Sequence, residues 1–292
     1  MKLNKYSRLQ IRMLITLFCI GLHSQAQNVK ELLILHTNDT HSRIDPLPIT
    51  PDFPERSNKA GYVRRATLVR NLRAQHPDLL LFDCGDFSQG TPYYNMFQGE
   101  VEVKLMSEMG YDAGAIGNHE FDFGIENMKR IFTQASYPIV CANYDFNGTV
   151  LEGIVKPYVI LKRNGLKIGV FGLSPRMEGL VSGSNFKGVT YKDPVKCANE
   201  VAEHLKIKEH CDVVICLSHM GWKAGVNNPE CDEYIIERTR HIDVILGGHS
   251  HSYFKEPIYY RNVDGDQVIL QQMGKNGQFV GTLKLTFTKD KQ

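Results

Sequence analysis

The sequence predicts an α/β fold, on three observations. Short apolar runs at residues 32–35, 79–82, 113–116, 139–142, 168–173, 213–217 and 244–246 have the length and content of buried strands. Amphipathic segments at 62–75, 101–109, 125–134, 194–208 and 230–240 fall between those runs, as helices do in α/β units. Late in the chain the pattern turns antiparallel, with hairpins and an alternating last strand.

The first 26 residues stand apart from this pattern. A basic stretch ends at Arg12, an apolar run covers 13–22, and Ser24-Gln25-Ala26 is a small-x-small cleavage site. This predicts a signal peptide at 1–26, cleaved near Ala26, and leaves a domain at 27–292, exported to the periplasm or secreted. Spanning a bilayer takes about 20 apolar residues, and this run is half that. No later run is long enough, so no stable membrane span is expected. Leu17 and Phe18 precede Cys19 where a lipid-attachment site wants small residues.

The remaining elements have local signals. Asp193 before Pro194 is a helix start, with the acid as N-cap and the proline in the first turn. Asn164-Gly165 joins one pair of strands and Asp264-Gly265 another, both suited to turns with positive φ. Residues 282–287 alternate apolar and polar, as a half-buried strand does. The segment 45–59 is rich in Pro, Asp and Ser and is expected to be a loop. No repeat or linker divides the chain, so one domain is expected.

Composition narrows the function classes. With 42% hydrophobic and 23% charged residues, the chain is no disordered polymer. The formal charge of +2 is set by Lys2, Lys5, Arg8 and Arg12; without residues 1–26, 30 basic residues face 32 acidic ones. No nucleic-acid partner is implied. Of seven cysteines, six lie beyond Cys19, in irregular spacing and without a CxxC, as small buried thiols do. Cys211 and Cys216 are too far apart to bridge on one straight strand.

The chemistry sits where strands end. Five apolar runs lead directly into polar clusters: His36 to His41, Asp83 to Asp86, Gly117 to Asp122, Ser218 to Gly221, and Gly247 to His251. Ligands bind at the carboxyl ends of strands in α/β sheets. If these strands lie side by side, the loops share one cleft. Imidazole and carboxylate donors suit Zn, Mn, Fe or Co. Asp39 with His41, and His249 with His251, are i,i+2 pairs, which share a face in extended backbone.

Taken in order, LHTNDTH (35–41), GDFSQG (85–90), GNHEFD (117–122), SHMG (218–221) and GGHSH (247–251) resemble the calcineurin-like metallophosphoesterase superfamily. The match is nearest to the N-terminal catalytic domain of periplasmic 5'-nucleotidases and UDP-sugar hydrolases. The resemblance implies two mixed β-sheets packed as a sandwich with helices outside, the α/β/β/α arrangement. It implies two divalent metals, Zn, Mn, Co or Fe. Asp39, His41 and His251 would hold one, Asn118, His219 and His249 the other, and Asp86 would bridge both. His119 would assist the chemistry, oriented by Asp122. His251 stands where the 5'-nucleotidases often carry Gln, which bears on metal preference.

The implied reaction is binuclear-metal-dependent hydrolysis of phosphate monoesters by a metal-activated water, with nucleoside 5'-monophosphates as favoured substrates. The competing readings are a cyclic-nucleotide or UDP-sugar phosphodiesterase, a thiosulfate-type hydrolase, and a non-catalytic metal-bound binding subunit. Related nucleotidases carry a second, C-terminal domain that grips base and sugar. A separate partner chain supplying that domain, or broad specificity, is therefore expected. His36, Asp83 and Glu120 are expected to be supporting residues, His76, His204, His210 and His241 surface or packing residues. Arg43, Arg64, Arg65 and Arg176 are expected on solvated faces, and Trp222 and Tyr253 beside the cleft.

Overall fold

Every apolar run forms a strand, and together they make two main sheets. The computed structural model describes residues 29–225 and 229–288; the expected signal segment at 1–26 lies outside the described residues. The strands are β1 (Lys30–Thr37), β2 (Leu80–Asp83), β3 (Ala113–Ala115), β4 (Ile139–Val140), β5 (Tyr144–Asp145), β6 (Tyr158–Arg163), β7 (Leu166–Leu173), β8 (Thr190–Tyr191), β9 (Val213–Ser218), β10 (Val244–Leu246), β11 (Ile258–Arg261), β12 (Gln267–Gln271) and β13 (Gly281–Phe287). The helices are α1 (Tyr62–Gln75), α2 (Pro92–Phe97), α3 (Glu100–Met109), α4 (Gly124–Phe132), α5 (Pro194–Glu203) and α6 (Asp232–Ile236).

One sheet runs β13-β1-β2-β3-β4, the other β11-β12-β10-β9-β7-β6, and β5 pairs with β8 apart from both. The central strands of each main sheet are parallel. The antiparallel members, β13, β6 and β11, sit at the edges. Both large sheets are therefore mixed.

Side-chain alternation explains the layering. Along β1, Leu32 and Ile34 enter the core between the sheets, while Leu33 and Leu35 face the helices. Along β9, Val213, Ile215 and Leu217 face the other sheet, and Val214 and Cys216 face helices. Strands buried on both faces have no polar alternation, which is why they are continuous apolar runs. Val69 of α1, Val103 and Met106 of α3, and Met128 and Ile131 of α4 cover the five-stranded sheet. Ala198 and Ala202 of α5, with Ile235 and Ile236 of α6, cover the six-stranded one. The order of layers is α/β/β/α.

Some boundaries differ from the pattern's expectation. The expected helix at 230–240 is only α6, after which the chain tightens into i,i+3 bonds, with Arg238 N–H donating to the Ile235 carbonyl at 3.1 Å. The expected helix at 194–208 is α-helical to Glu203 and then a π-turn over His204–Lys208. There the Glu209 N–H reaches back five residues to the His204 carbonyl at 2.9 Å. The six cysteines at 84, 141, 197, 211, 216 and 231 are buried and unpaired.

Candidate metal centre

The five polar loops do meet, but across two sheets rather than along one. β1, β2 and β3 deliver Asp39, His41, Asp86, Asn118 and His119; β9 and β10 deliver His219, His249 and His251. Backbone bonds fix the loops to one another. Asp39 N–H donates to the Gly85 carbonyl at 3.0 Å, and His41 N–H to the Asp86 carbonyl at 3.0 Å. Across the sheets, His249 N–H donates to the Asp39 carboxylate at 3.0 Å, and His219 Nδ1–H to the Cys84 carbonyl at 2.7 Å.

The backbone at these positions is unusual. Asp39 (φ 48°), His41 (φ 49°), Asp86 (φ 54°), His249 (φ 70°) and His251 (φ 55°) are all left-handed. Side-chain-bearing residues seldom adopt this region, and such strain gathers at functional sites. The expected extended geometry of the two i,i+2 pairs is thus incorrect. Asp39 and His41 still reach one group, but His249 and His251 are split between two. Asp39, His41 and His251 form one group, and Asp86, His219 and His249 the other, with ligand atoms within 4.8 Å of one another in each. Asp39 Oδ1 and His219 Nε2, 3.9 Å apart, connect the groups.

The donor atoms fit cations better than they fit each other. His41 Nε2 and His251 Nε2 face one another at 3.1 Å. Among the described residues, His219 Nε2 lies 3.0 Å from Asp86 Oδ2 yet has no aligned hydrogen bond, and Asn118 Oδ1 is buried with no partner. Buried polar atoms left without partners cost free energy, and here they converge on the two ligand groups. Burial pushes His249 down to about 4 and also lowers His41, keeping both neutral as ligands must be. Burial opposes charge on His219 too, but the Asp86 carboxylate outweighs it and raises His219 to about 10, a proton that a bound cation would displace.

Glycine at two positions is dictated by these side chains. A Cβ on Gly117 would collide with the Asp86 carboxylate. A Cβ on Gly248 would stand 2.8 Å from His219 Nδ1.

Supporting residues complete the centre. Glu120 accepts from Gly117 N–H at 2.7 Å and Asp86 N–H at 2.9 Å, which ties the second loop to the third. Asp83 accepts from Thr37 Oγ1 at 2.6 Å and Gly85 N–H at 3.0 Å. His36 is buried against Gln271 Oε1 at 3.1 Å, a tie between the sheets. His119 Nδ1 donates to Asp122 Oδ2 at 2.8 Å. Burial opposes charge on His119, but Asp122 and Asp86 together raise its pKa.

Two residues near the centre carried no sequence signal. Tyr94 of α2 donates to the same Asp122 Oδ2 at 3.0 Å. Asp232 accepts from Ser218 Oγ at 2.5 Å, directly behind His219. Short α2 was missed as a helix, although Thr91-Pro92 is a start signal. Among the arginines, Arg65 is buried over the Tyr62 ring and bonds Thr40 and Tyr111, contrary to the solvated face expected. Arg43 lines a cavity of about 290 Å³ with His41, His119, His251, Gln89 and Lys275. Trp222 bonds Tyr260, and Tyr253 stacks on Phe279.

This fold, with two N/O ligand groups at its strand ends, defines a metal-dependent hydrolase. The chain belongs to the calcineurin-like phosphoesterase family, which residues 32–253 match; the family uses two divalent metals. It is 31% identical to a snake venom 5'-nucleotidase of Gloydius brevicauda, over 92% of this chain and 47% of the relative. The structure matches a 5'-nucleotidase precursor of Thermus thermophilus with a TM-score of 0.77 and 29% identity, covering 88% of this chain and 51% of that one. A calcineurin-like phosphoesterase of Bacillus subtilis matches with a TM-score of 0.72 and 29% identity, over 90% of this chain and 86% of that one. The chain spans about half the length of the curated relatives it matches.

Proposed function

We propose that this chain hydrolyses phosphate monoesters, with nucleoside 5'-monophosphates the favoured class. The observation that carries the reading is the pair of ligand groups beside an oriented histidine. Asp39, His41 and His251 would hold one metal, Asn118, His219 and His249 the other, with Asp86 between them. When bound, two divalent metals supply positive charge at phosphorus and an activated water. The protein's own part is orientation. Asp122 accepts a hydrogen bond from His119 Nδ1–H, which fixes the ring, and with Asp86 favours its charged form, so that Nε2 also carries a proton for the substrate. His119 then stabilises charge at the phosphoryl oxygens or supplies a proton to the leaving oxygen. A pure binding subunit has no use for that pair.

Exhaustive chelation should abolish phosphate release from AMP, and Mn, Co or Zn should restore it. Asp86→Ala should be among the most damaging substitutions, since both groups adjoin it. Full activity in metal-free protein would refute this function.

We infer export from residues 1–26; among the described residues, no helix is long and apolar enough to cross a membrane. Sequencing of the secreted or periplasmic form should begin at Gln27. A soluble cytosolic form retaining Met1 would contradict it.

A further inference from the structure

We propose that the cavity between residues 42–48 and α2 is a leaving-group subsite, taking a flat and largely apolar group such as a nucleobase or aryl ring. This rests on the phosphoesterase reading above and names what the site would select. Position is the first argument. The cavity measures about 410 Å³ and shares the Arg43 side chain as a wall with the smaller cavity that holds His41, His119 and His251. A substituent leaving phosphorus at the metal centre passes Arg43 to enter it.

The support of the catalytic histidine is the second argument. His119 is oriented by Asp122, and Asp122 is bonded by Tyr94 of α2. Tyr93, Met96 and Phe97, spaced i, i+3 and i+4 on that helix, line the cavity. So the helix that supports the histidine on one face builds the cavity on another. A group that protonates or polarises a leaving oxygen must sit beside the leaving group.

The lining matches an apolar ring with polar edges. Pro46, Pro48, Tyr93, Met96 and Phe97 supply apolar walls, and the prolines fix local backbone. Met96 is 73% exposed and Phe97 42%, so apolar surface stands open at the mouth. Polar groups stand both inside it, at the buried Ser42 and Thr91, and towards its edge, at Arg43 and Asp45, and its volume is within the roughly 300–1,000 Å³ of small-molecule sites. Asp45 accepts from the Tyr93 hydroxyl at 3.1 Å and keeps a second oxygen for a ligand N–H or O–H. Arg43 Nε is buried with no hydrogen-bond partner among the described residues, beside the path from metal centre to cavity.

The test uses the metal-loaded chain and a Met96→Ala/Phe97→Ala double variant. Neither side chain packs into the buried cores, so the fold does not depend on them. Two readouts are needed: the ratio of kcat/KM for AMP over glycerol 3-phosphate, and calorimetric binding of adenosine alone. The wild type should bind adenosine and prefer AMP, and the double variant should lose about tenfold or more in both. If adenosine binding falls in the variant while neither ester is hydrolysed by either protein, the subsite stands and the phosphoesterase reading fails. If adenosine does not bind, or both readouts are unchanged in the variant, the proposal is overturned. The face then belongs to another occupant, such as a partner chain.

Discussion

The two ligand groups differ in how they meet water. The His219 side chain is 0% exposed and Asp86 2%, whereas the His251 side chain is 36% exposed. The inner group is anchored to the core: His219 bonds the Cys84 carbonyl, and Ser218 beside it bonds Asp232. The outer group borders the cavity with Arg43 and Lys275. Asp39 is as buried as His219, so the contrast lies between single members: His219 is built into the core and His251 into a binding surface. Substitutions should therefore act as structural losses on the inner side and as affinity losses on the outer side.

The largest contrast is expected between His219→Ala and His251→Ala. Losing His219 leaves Asp86 buried without its neighbour, so one metal equivalent and about 10³-fold in activity should go. Losing His251 should weaken one metal by about 10- to 100-fold, recoverable by added metal. Metal content after dialysis, alongside kcat at saturating metal, separates the two. Equal, irreversible loss in both variants would erase the distinction between inner and outer groups.

A smaller effect tests the tie behind the outer group. Burial lowers His36 to about 4 from 6.5, despite its bond to Gln271. Its folded form binds fewer protons than the unfolded chain between those values. Stability is therefore complete above about pH 6.5 and falls as pH drops toward 4, by about 3 kcal/mol for this group. Denaturant titrations from pH 7 to 4 should show that slope, and His36→Gln should flatten it. An unchanged slope in the variant would assign acid sensitivity to other groups.

The smallest effect concerns α2. Tyr94→Phe removes one bond to Asp122 but keeps the ring, so about fivefold in kcat should be lost with little change in KM. A change confined to KM would mean that Tyr94 shapes binding rather than the histidine's orientation.

Much of this was legible in the sequence because burial on both faces leaves a plain mark. The runs around Leu32, Leu80 and Val213 are apolar throughout, since alternate residues enter different cores. The motif residues were legible because strand ends in α/β sheets face ligands. The left-handed backbone at Asp39 and His251 was not, because φ is set by bonds from distant loops. The partition of His249 from His251 came from the resemblance and not from residue spacing, since it depends on how two sheets stack. Helix α2 is six residues long and its apolar residues face a cavity, so no periodic stripe announces it. Arg65 was misplaced because burial of a cation depends on partners such as Tyr111, 46 residues away in the chain.

The bond from His249 N–H to Asp39 joins residues 210 positions apart. Neither ligand group is complete within one sheet, so each depends on both ends of the chain having arrived. During synthesis, the first ligands emerge long before the last. If these groups hold the metals, stable capture has to wait until the two halves dock, and bound metal would report that maturation is finished. On the proposed assignment, a product that stops before His249 would keep most of its hydrophobic strands and still lack a ligand of each group.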